Sequence, residues 1–337
     1  MDIVLFRTFL TNIGNGFIDK GARQTIERAF PNSSITEVSG YPLYASRQSS
    51  RTSLHPLAKV AGLVSEGESL PTQGDREFLH LGQFIDADLA VFPGCVLYPR
   101  LLTFFQKALA DLADRNVPIV FLGAGGYYYD LQQRETKETQ SLLNSLGNAA
   151  LITRDQPAYD AFGGLFEYAT PGIDNAFFIS EWKEIPESNI EFDVHTFDNQ
   201  EEPPIQSERR ILRARHKPFG HAMPFAPPAV GASARYNDYS KGRLDKENLL
   251  ISDLLEDYLF LYANGEETHS SRVHACVPAL VYGNEARFYR ETDRGSLFEQ
   301  VVDGDISTEL VGLSEERLEK KKAEQVEKLE AAATELL

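Results

Sequence analysis

Cysteine is nearly absent from this sequence, and its scarcity excludes two common kinds of scaffold. The 337 residues include 2 cysteines, Cys95 and Cys276. Two cysteines cannot form the dense disulfide framework of a small secreted domain, and no CxxC pair is present. His, Cys and Asp residues also nowhere show the spacing of metal ligands. We therefore expect neither a disulfide scaffold nor a metal site.

Positive charge is also scarce. The chain has 33 Lys and Arg residues against 50 Asp and Glu residues, a formal net charge of −17. Proteins that bind nucleic acid need clustered basic side chains to neutralise phosphates, so a nucleic-acid partner is not expected. The basic run at residues 209–217 is the exception. This run could contact a phosphate-bearing acceptor or the donor of a reaction. The interpretation we favour is the solvated face of a helix, which balances the acids at 201–208.

Long hydrophobic runs are missing as well. No apolar run approaches the ~18–20 residues that a membrane-spanning helix needs. The first residues, Met1 to Ile3, lack the basic region that opens a signal peptide. We therefore expect a cytoplasmic protein without a transmembrane segment.

The N-terminal half contains short apolar runs that alternate with amphipathic stretches. Strands are predicted at residues 3–6, 34–39, 87–92, 118–122 and 150–152, and helices at 18–30, 101–112 and 132–146. This alternation predicts an α/β fold, in which a parallel sheet has helices on both faces. A polar stretch at residues 46–53 is interpreted as a solvated linker.

A second set of elements follows an acid-rich stretch at residues 181–204. We predict a strand at 258–262, a helix at 272–280 and a strand at 286–289. A chain of 337 residues suits two domains. The predicted division is an N-terminal domain at 1–165, a C-terminal domain at 166–312 and a C-terminal helix at 313–337, which either packs across the junction or projects to a partner.

Two glycine-rich loops are candidate binding sites, because ligands collect at the carboxyl ends of parallel strands. The first, residues 12–16, holds Asn12, Gly14 and Asn15 before a helix that could bind an anion at its N-terminus, or is only a tight turn. The second contains Gly125 and precedes three tyrosines, residues 127–129. Their hydroxyls and flat faces suit sugars, or they lie half-buried in the core.

Two basic segments carry the remaining candidates. Arg154 ends a strand, where a guanidinium can bind a carboxylate or phosphate in two-pronged fashion, and Asp155 is expected to cap the next helix. A serine before an apolar run predicts an N-cap near Ser271, which places Arg272 and His274 in the first helical turn. A bound anion would favour protonated His274, a possible general acid. The alternative is a half-buried histidine bonded to a backbone carbonyl.

Four of these segments together resemble the polysaccharide pyruvyl transferase family. They are residues 12–15 (NIGN), residues 88–94 (DLAVFPG), Arg154-Asp155 and residues 271–275 (SRVHA), of which the last is the most specific. Their order and spacing fit the family over residues 2–290. Two departures are Asn15, where the family usually has an acid, and a shortened glycine run after Pro93.

The resemblance implies two Rossmann-like domains that face each other across a cleft, the GT-B arrangement, with the acceptor on the N-terminal side. It implies transfer of the carboxyvinyl group of phosphoenolpyruvate to hydroxyls of a polysaccharide or glycan precursor, with no cofactor besides this co-substrate. His274 would be the general acid, and Arg154 and Arg272 an anion clamp. Asn12, Gly14, Asn15, Gly94, Gly125 and Ser271 would bind substrate. A lipid-linked acceptor would bring peripheral membrane contact.

Two other functions remain open. A GT-B glycosyltransferase or sugar-nucleotide epimerase would share the architecture, and it would need a carboxylate for the nucleotide ribose, such as Glu285 or Glu291. A non-catalytic module that binds sugars or anions is the third possibility. The pairing of Arg272 with His274 in one helical turn argues against that module, because binding alone does not require it.

Overall fold

A computed structural model describes residues 1–8, 12–39, 81–198, 200–216, 247–290 and 292–337. The predicted linker at 46–53 lies outside these residues. The strands are β1 (Asp2–Arg7), β2 (Ser34–Ser39), β3 (Leu89–Pro93), β4 (Ile119–Ala124), β5 (Ala149–Thr153), β6 (Tyr168–Pro171), β7 (Phe192–Thr196), β8 (Arg210–Ala214), β9 (Leu249–Leu250), β10 (Glu267–Ser270) and β11 (Glu285–Phe288). The α-helices are α1 (Ile13–Ala29), α2 (Pro99–Asp114), α3 (Arg134–Leu143), α4 (Gln156–Phe162), α5 (Leu255–Asn264), α6 (Val273–Val281) and α7 (Glu315–Leu336). Short 3₁₀ helices occur at Leu81–Phe84, Gly163–Leu165, Asn175–Glu181 and Asp293–Leu297.

The first sheet is formed by six parallel strands in the order β2-β1-β3-β4-β5-β6. Strands β3, β4 and β5 are buried along their whole length, as expected for apolar runs in a sheet that is covered on both faces. The predicted α/β class is confirmed. Since β6 ends at Pro171, the first sheet continues past residue 165. The exact division between the domains remains a prediction.

The second sheet has five parallel strands in the order β11-β10-β7-β8-β9. The predicted strand at 258–262 is wrong, because these residues lie within α5. Tyr258, Leu259 and Tyr262 are buried at the three- and four-residue spacing of one helical face. A short apolar run fits a buried strand equally well, so periodicity alone could not separate the two.

The basic run at 209–217 is also corrected, because its described part forms strand β8 rather than a helix. The predicted charge balance is nevertheless visible there. Arg209 contacts Asp193 and Glu267, each at 3.1 Å, and Arg213 contacts Glu202 at 2.9 Å. Of these contacts, the Arg213–Glu202 pair joins β8 to the acidic segment at 201–208, and Arg209 lies just before the strand.

Helix α7 packs against the first sheet. Leu329, Ala332 and Ala333 are buried in one cluster with residues of β1, β3, β4 and β5. Nearer its start, Lys322 reaches Glu181 at 2.8 Å, at the end of the 3₁₀ helix between the two sheets. Of the two predicted positions for this helix, packing within the molecule is the one that the structure shows.

Helix α1 joins the two halves of the molecule. Its later residues Ala22 and Ile26 pack on the first sheet, whereas Ile13 and Phe17 belong to the core of the second. The start of α1 therefore lies where the carboxyl ends of the two sheets approach each other. None of the helices in the described parts of the chain is long and apolar enough to cross a membrane.

Candidate functional site

A pocket opens beside the start of α1 and the start of α6. Its cavity volume is about 30 Å³, and it is about 350 Å³ when the open space at the mouth is included. It is lined by Asn12, His216, Ser271, Arg272, Val273, His274, Phe288 and Arg290. Two guanidinium groups and two imidazoles thus face this space, and no carboxylate side chain of the described residues lines it.

The loop between β10 and α6 places the first basic group. The Ser270 hydroxyl accepts a hydrogen bond from the Arg272 backbone N–H at 2.8 Å and donates to the Thr196 carbonyl at 3.0 Å. This arrangement ties the ends of β10 and β7 together. Arg272 occupies the N-cap position of α6 with extended backbone, and His274 follows in the first turn.

Arg272 is held by a buried carboxylate. One of its terminal nitrogens, Nη2, donates to Asp198 at 2.8 Å, and Asp198 is only 3% exposed. Burial alone would raise the pKa of Asp198, but the charge and hydrogen bond of Arg272 outweigh it and lower that pKa. The Arg272 Nε–H is buried without a hydrogen-bond partner. The guanidinium is therefore fixed in place with one donor still to be satisfied.

Like Arg272, the His216 side chain has a buried nitrogen without a hydrogen-bond partner. Its Nε2 lies 2.6 Å from the Tyr262 hydroxyl, and its Nδ1 is buried without a partner. The ring is 1% exposed, and burial is the main cause that lowers the pKa of His216 to about 3. His216 therefore lines the pocket as a neutral ring.

His274 is linked to the first domain through a buried aspartate. Its Nε2 lies 3.2 Å from Oδ2 of Asp174, which lies 3.6 Å from Nη1 of Arg154. Asp174 is completely buried, and burial would raise its pKa, but His274 and Arg154 together lower that pKa. This chain of contacts runs from α6 to the end of β5 and so connects the two sheets.

The start of α1 forms the wall of the pocket opposite α6. Asn12 caps the helix by accepting from the Gly14 N–H at 3.3 Å, and the Ile13 N–H donates to the His216 carbonyl at 3.2 Å. A Cβ atom on Gly14 would lie 2.8 Å from the His274 Cβ, so only glycine allows this approach. Two helix N-termini, each with partial positive charge, thus meet at one pocket.

The combined charges suit an anion. A phosphate or diphosphate could satisfy the unused Arg272 and His216 nitrogens and lie between the positive ends of α1 and α6. Among the described residues, no group of three His, Cys, Asp or Glu side chains could hold a metal ion.

No protein-family model and no curated protein sequence matches this chain. Solved structures do resemble it. A structure of S. aureus MnaA with UDP has a TM-score of 0.50 at 10% identity, and covers 96% of this chain and 87% of that chain. UDP-GlcNAc 2-epimerases from Neisseria meningitidis, with UDP-GlcNAc bound, and from Rickettsia bellii both reach a TM-score of 0.47, at 10% and 13% identity. They cover 100% and 97% of this chain, and 94% and 87% of their own.

These comparisons confirm the fold and correct the family. The predicted pair of Rossmann-like domains facing across a cleft, GT-B-like, is found. The predicted membership in the polysaccharide pyruvyl transferase family is wrong, because no family model matches the chain and a solved structure that shares its fold is S. aureus MnaA with UDP. The predicted transfer of a pyruvyl group from phosphoenolpyruvate depended on that family and is therefore wrong as well. At these identities the likeness shows the fold alone.

The structure brings some of the predicted site residues together. Asn12, Ser271, Arg272 and His274 all line the pocket, and Gly14 packs directly behind the His274 ring. Their roles in binding and catalysis remain predictions. The expected first-turn position of His274 is observed, whereas Arg272 itself is the N-cap, so the predicted cap near Ser271 and the predicted first-turn position of Arg272 are wrong by one residue.

Arg154 lies apart from this group. Its guanidinium is 2% exposed and is occupied by Asp155 at 3.1 Å, Asp174 at 3.6 Å and the Gly126 carbonyl at 3.3 Å. With these partners it cannot serve as the exposed anion clamp that the sequence predicted. The expectation that Asp155 caps a helix agrees with the structure, since its carboxylate accepts from the Ala158 N–H at 2.9 Å.

The remaining predicted binding residues have local structural roles. Gly94 has a φ of +73°, and a Cβ there would meet Ile18 at 2.5 Å. A Cβ on Gly125 would meet the Arg154 Nε at 2.3 Å. The Asn15 amide donates to the Thr8 carbonyl at 3.1 Å.

The carboxylate proposed for a nucleotide ribose does not reach the pocket. Glu285 is exposed and opens β11, whereas the pocket lies at the carboxyl end of that strand, near Phe288 and Arg290. Glu291 lies outside the described residues.

The sequence did not indicate Asp174, Asp198 and Arg290 as parts of one site, and it indicated His216 only as a member of the basic run at 209–217. Asp174 and Asp198 each follow shortly after a strand, β6 and β7, where a parallel sheet presents its ligands. Neither strand was predicted, because both lie in or beside the acid-rich stretch at residues 181–204, which was interpreted only as a change of composition. The positions of the two aspartates at strand ends therefore could not be recognised. Arg290 follows β11 in the same way.

Proposed function

We propose that this protein is a sugar-nucleotide epimerase that binds the diphosphate of a UDP-activated sugar in the pocket between α1 and α6. The observation that carries the proposal is the set of side chains Arg272, Arg290, His216 and His274 around a pocket that no acidic residue in the described part of the chain lines. The reaction class comes from the names of the solved structures above, and UDP from the ligand of the S. aureus structure.

The anion-binding part of the site has clear roles for its residues. Arg272 donates to the diphosphate through the Nε–H that has no partner within the chain, and Asp198 keeps the guanidinium oriented. Charge-assisted hydrogen bonds of this kind are roughly twice as strong as neutral ones. The exposed Arg290 adds a second positive charge at the same pocket.

His274 supplies the acid–base group. An epimerase inverts one sugar carbon, so a proton leaves one face of the ring and a proton from solvent or from the enzyme returns on the other. An imidazole can accept and return a proton, and a positioned group of this kind contributes typically about 10²–10⁴-fold to rate. His274 lies in the pocket at 14% exposure, so a bound sugar can reach it.

Deuterium incorporation tests this function. The protein is incubated in D₂O with UDP-GlcNAc and with other UDP-hexoses, and the products are analysed by proton NMR and mass spectrometry. We expect an epimer that has gained one deuterium at the inverted carbon, and a His274→Gln variant that forms it about 10²–10⁴-fold more slowly. Absence of exchange and of epimer with every UDP-sugar would overturn the proposal.

A further inference from the structure

The two ring nitrogens of His274 have different surroundings. Nε2 lies 3.2 Å from the buried Asp174 carboxylate, whereas Nδ1 faces the start of α1, 3.2 Å from the position that a Cβ on Gly14 would occupy. An ionised carboxylate only accepts hydrogen bonds, so the nitrogen that faces it must carry a proton. In the neutral ring, the other nitrogen then keeps its lone pair.

Asp174 is itself fixed in this orientation. Its Oδ1 accepts from the Ala176 N–H at 2.9 Å and caps the 3₁₀ helix Asn175–Glu181. Its Oδ2 then points towards His274 and also towards Arg154, whose Nη1 lies at 3.6 Å. Arg154 is in turn held by Asp155 and the Gly126 carbonyl, so the carboxylate cannot turn away without breaking several contacts.

We propose that Asp174 is a positioning residue, which holds His274 in the tautomer with hydrogen on Nε2 and so makes Nδ1 the nitrogen that exchanges a proton with the ligand. The kinetic part of this inference rests on the proposed epimerase function. When Nδ1 takes a proton, the ring becomes an imidazolium with N–H on both nitrogens, and its charge is balanced by Asp174. When Nδ1 returns that proton, the ring is neutral again with hydrogen on Nε2. Arg154 acts here only as a support for Asp174.

The tautomer can be measured without any substrate. The full chain is labelled with ¹⁵N-histidine, and long-range proton–nitrogen spectra are recorded at pH 8. The His274 signals are assigned by their loss in His274→Gln. We expect a protonated Nε2 and an unprotonated Nδ1 in the wild-type protein. A protonated Nδ1, or an even mixture of the two tautomers, would overturn the inference.

Two asparagine variants form a matched pair. Asp174→Asn keeps an oxygen for the Ala176 cap but removes the carboxylate that faces His274, so we expect the single tautomer to be lost. Asp155→Asn removes the other carboxylate from Arg154 and still caps α4, since asparagine is as good an N-cap as aspartate. It should leave the tautomer unchanged. Equal spectra for wild type and a folded Asp174→Asn would contradict the role of Asp174, and if that variant does not fold, the wild-type spectrum decides.

Kinetics separate positioning from binding. Asp174→Asn should lower kcat by about 10²-fold or more, because the ring no longer presents the correct nitrogen. The Kd for UDP should stay within about threefold, and Asp174→Glu should restore part of kcat. A parallel loss of kcat and UDP affinity would assign Asp174 a structural role instead. If no UDP-sugar reacts at all, the proposed function fails while the wild-type spectrum still decides the tautomer.

Discussion

At the scale of single residues, Arg272 is the side chain that we expect to contribute most to binding the diphosphate. Its guanidinium is oriented by Asp198 at 2.8 Å and keeps an unused Nε–H. Replacement by glutamine should weaken UDP binding by about 1.5–3 kcal/mol, the value of a hydrogen bond to a charged group, or roughly 10- to 150-fold in Kd. Isothermal titration calorimetry measures this directly.

Arg209 provides the control for this substitution. It precedes β8 at the amino end of the strand, and its ion pairs are partly exposed. Such pairs contribute little, so Arg209→Gln should bind UDP like the wild type. Equal affinities for the Arg272→Gln and wild-type proteins would remove Arg272 from the site.

The buried His216 ring makes the free energy of unfolding depend on pH. Its ring has a pKa of about 3 in the folded protein and an ordinary value of 6.5 in the unfolded chain, chiefly because it is buried. Below pH 6.5 the unfolded chain therefore binds a proton that the folded protein does not. The stability that His216 contributes is fully present above pH 6.5 and is lost as the pH falls towards 3.

The expected slope is about 1.4 kcal/mol per pH unit between roughly pH 6 and pH 4, from this one group. Urea unfolding of wild type and His216→Gln at several pH values measures the difference. The variant should lose this slope while other groups continue to titrate. Identical slopes for the two proteins would show that His216 is protonated equally in both states.

At the scale of elements, the contact between α1 and α6 depends on one missing side chain. Gly14→Ala would ordinarily stabilise a helix by roughly 0.5–1 kcal/mol. Here the new Cβ would lie 2.8 Å from the His274 Cβ, so α6 must shift and take His274 with it. We expect turnover to fall on the order of 10²-fold, because displacement of a reacting group by about 1 Å has that effect.

Gly164→Ala is the matched control for this prediction, since a Cβ at Gly164 meets nothing within 4 Å. Steady-state kinetics on UDP-sugars should show it unchanged. If Gly14→Ala is as active as this control, the pocket tolerates movement between the helices and the close approach has no functional role.

Helix α7 should contribute strongly to the stability of the first sheet. Leu329 is completely buried, whereas Leu337 at the end of the chain is 70% exposed. Leu329→Ala should lower the free energy of unfolding by about 2–5 kcal/mol, because it leaves a cavity between helix and sheet. Leu337→Ala should change it by less than about 0.5 kcal/mol. Urea unfolding compares the two, and a similar small effect for both would mean that α7 is only loosely attached.

At the scale of the whole molecule, local pattern predicted much of the fold. The apolar runs of β3, β4 and β5 are buried on both faces, and such runs between amphipathic helices specify a wound parallel sheet. The pattern failed at residues 258–262, where five apolar residues fit a strand or a buried helix equally well. Only packing against the second sheet decides between them.

The candidate site was predictable only in part, because it is assembled from distant segments. The pair Arg272 and His274 is visible in sequence, since a polar segment before an apolar helix marks a helix start. Asp174 lies 100 residues before His274, and their contact at 3.2 Å exists only after the two sheets meet. The position of Arg154 at the end of a strand was visible in the sequence. Its burial between two carboxylates was not, because one of them, Asp174, comes from a later segment.

The pocket is proposed to bind a nucleotide diphosphate, and a calorimetric titration with UDP measures that binding. UDP and uridine, which lacks the diphosphate, are titrated into the wild-type and Arg272→Gln proteins. We expect UDP to bind the wild type and to stabilise it by about 2.7 kcal/mol at a concentration of 100 times Kd. We expect uridine to bind far more weakly. The Arg272→Gln variant should lose most of the difference in affinity between UDP and uridine. UDP that does not bind, or that binds no better than uridine, would contradict the proposed binding.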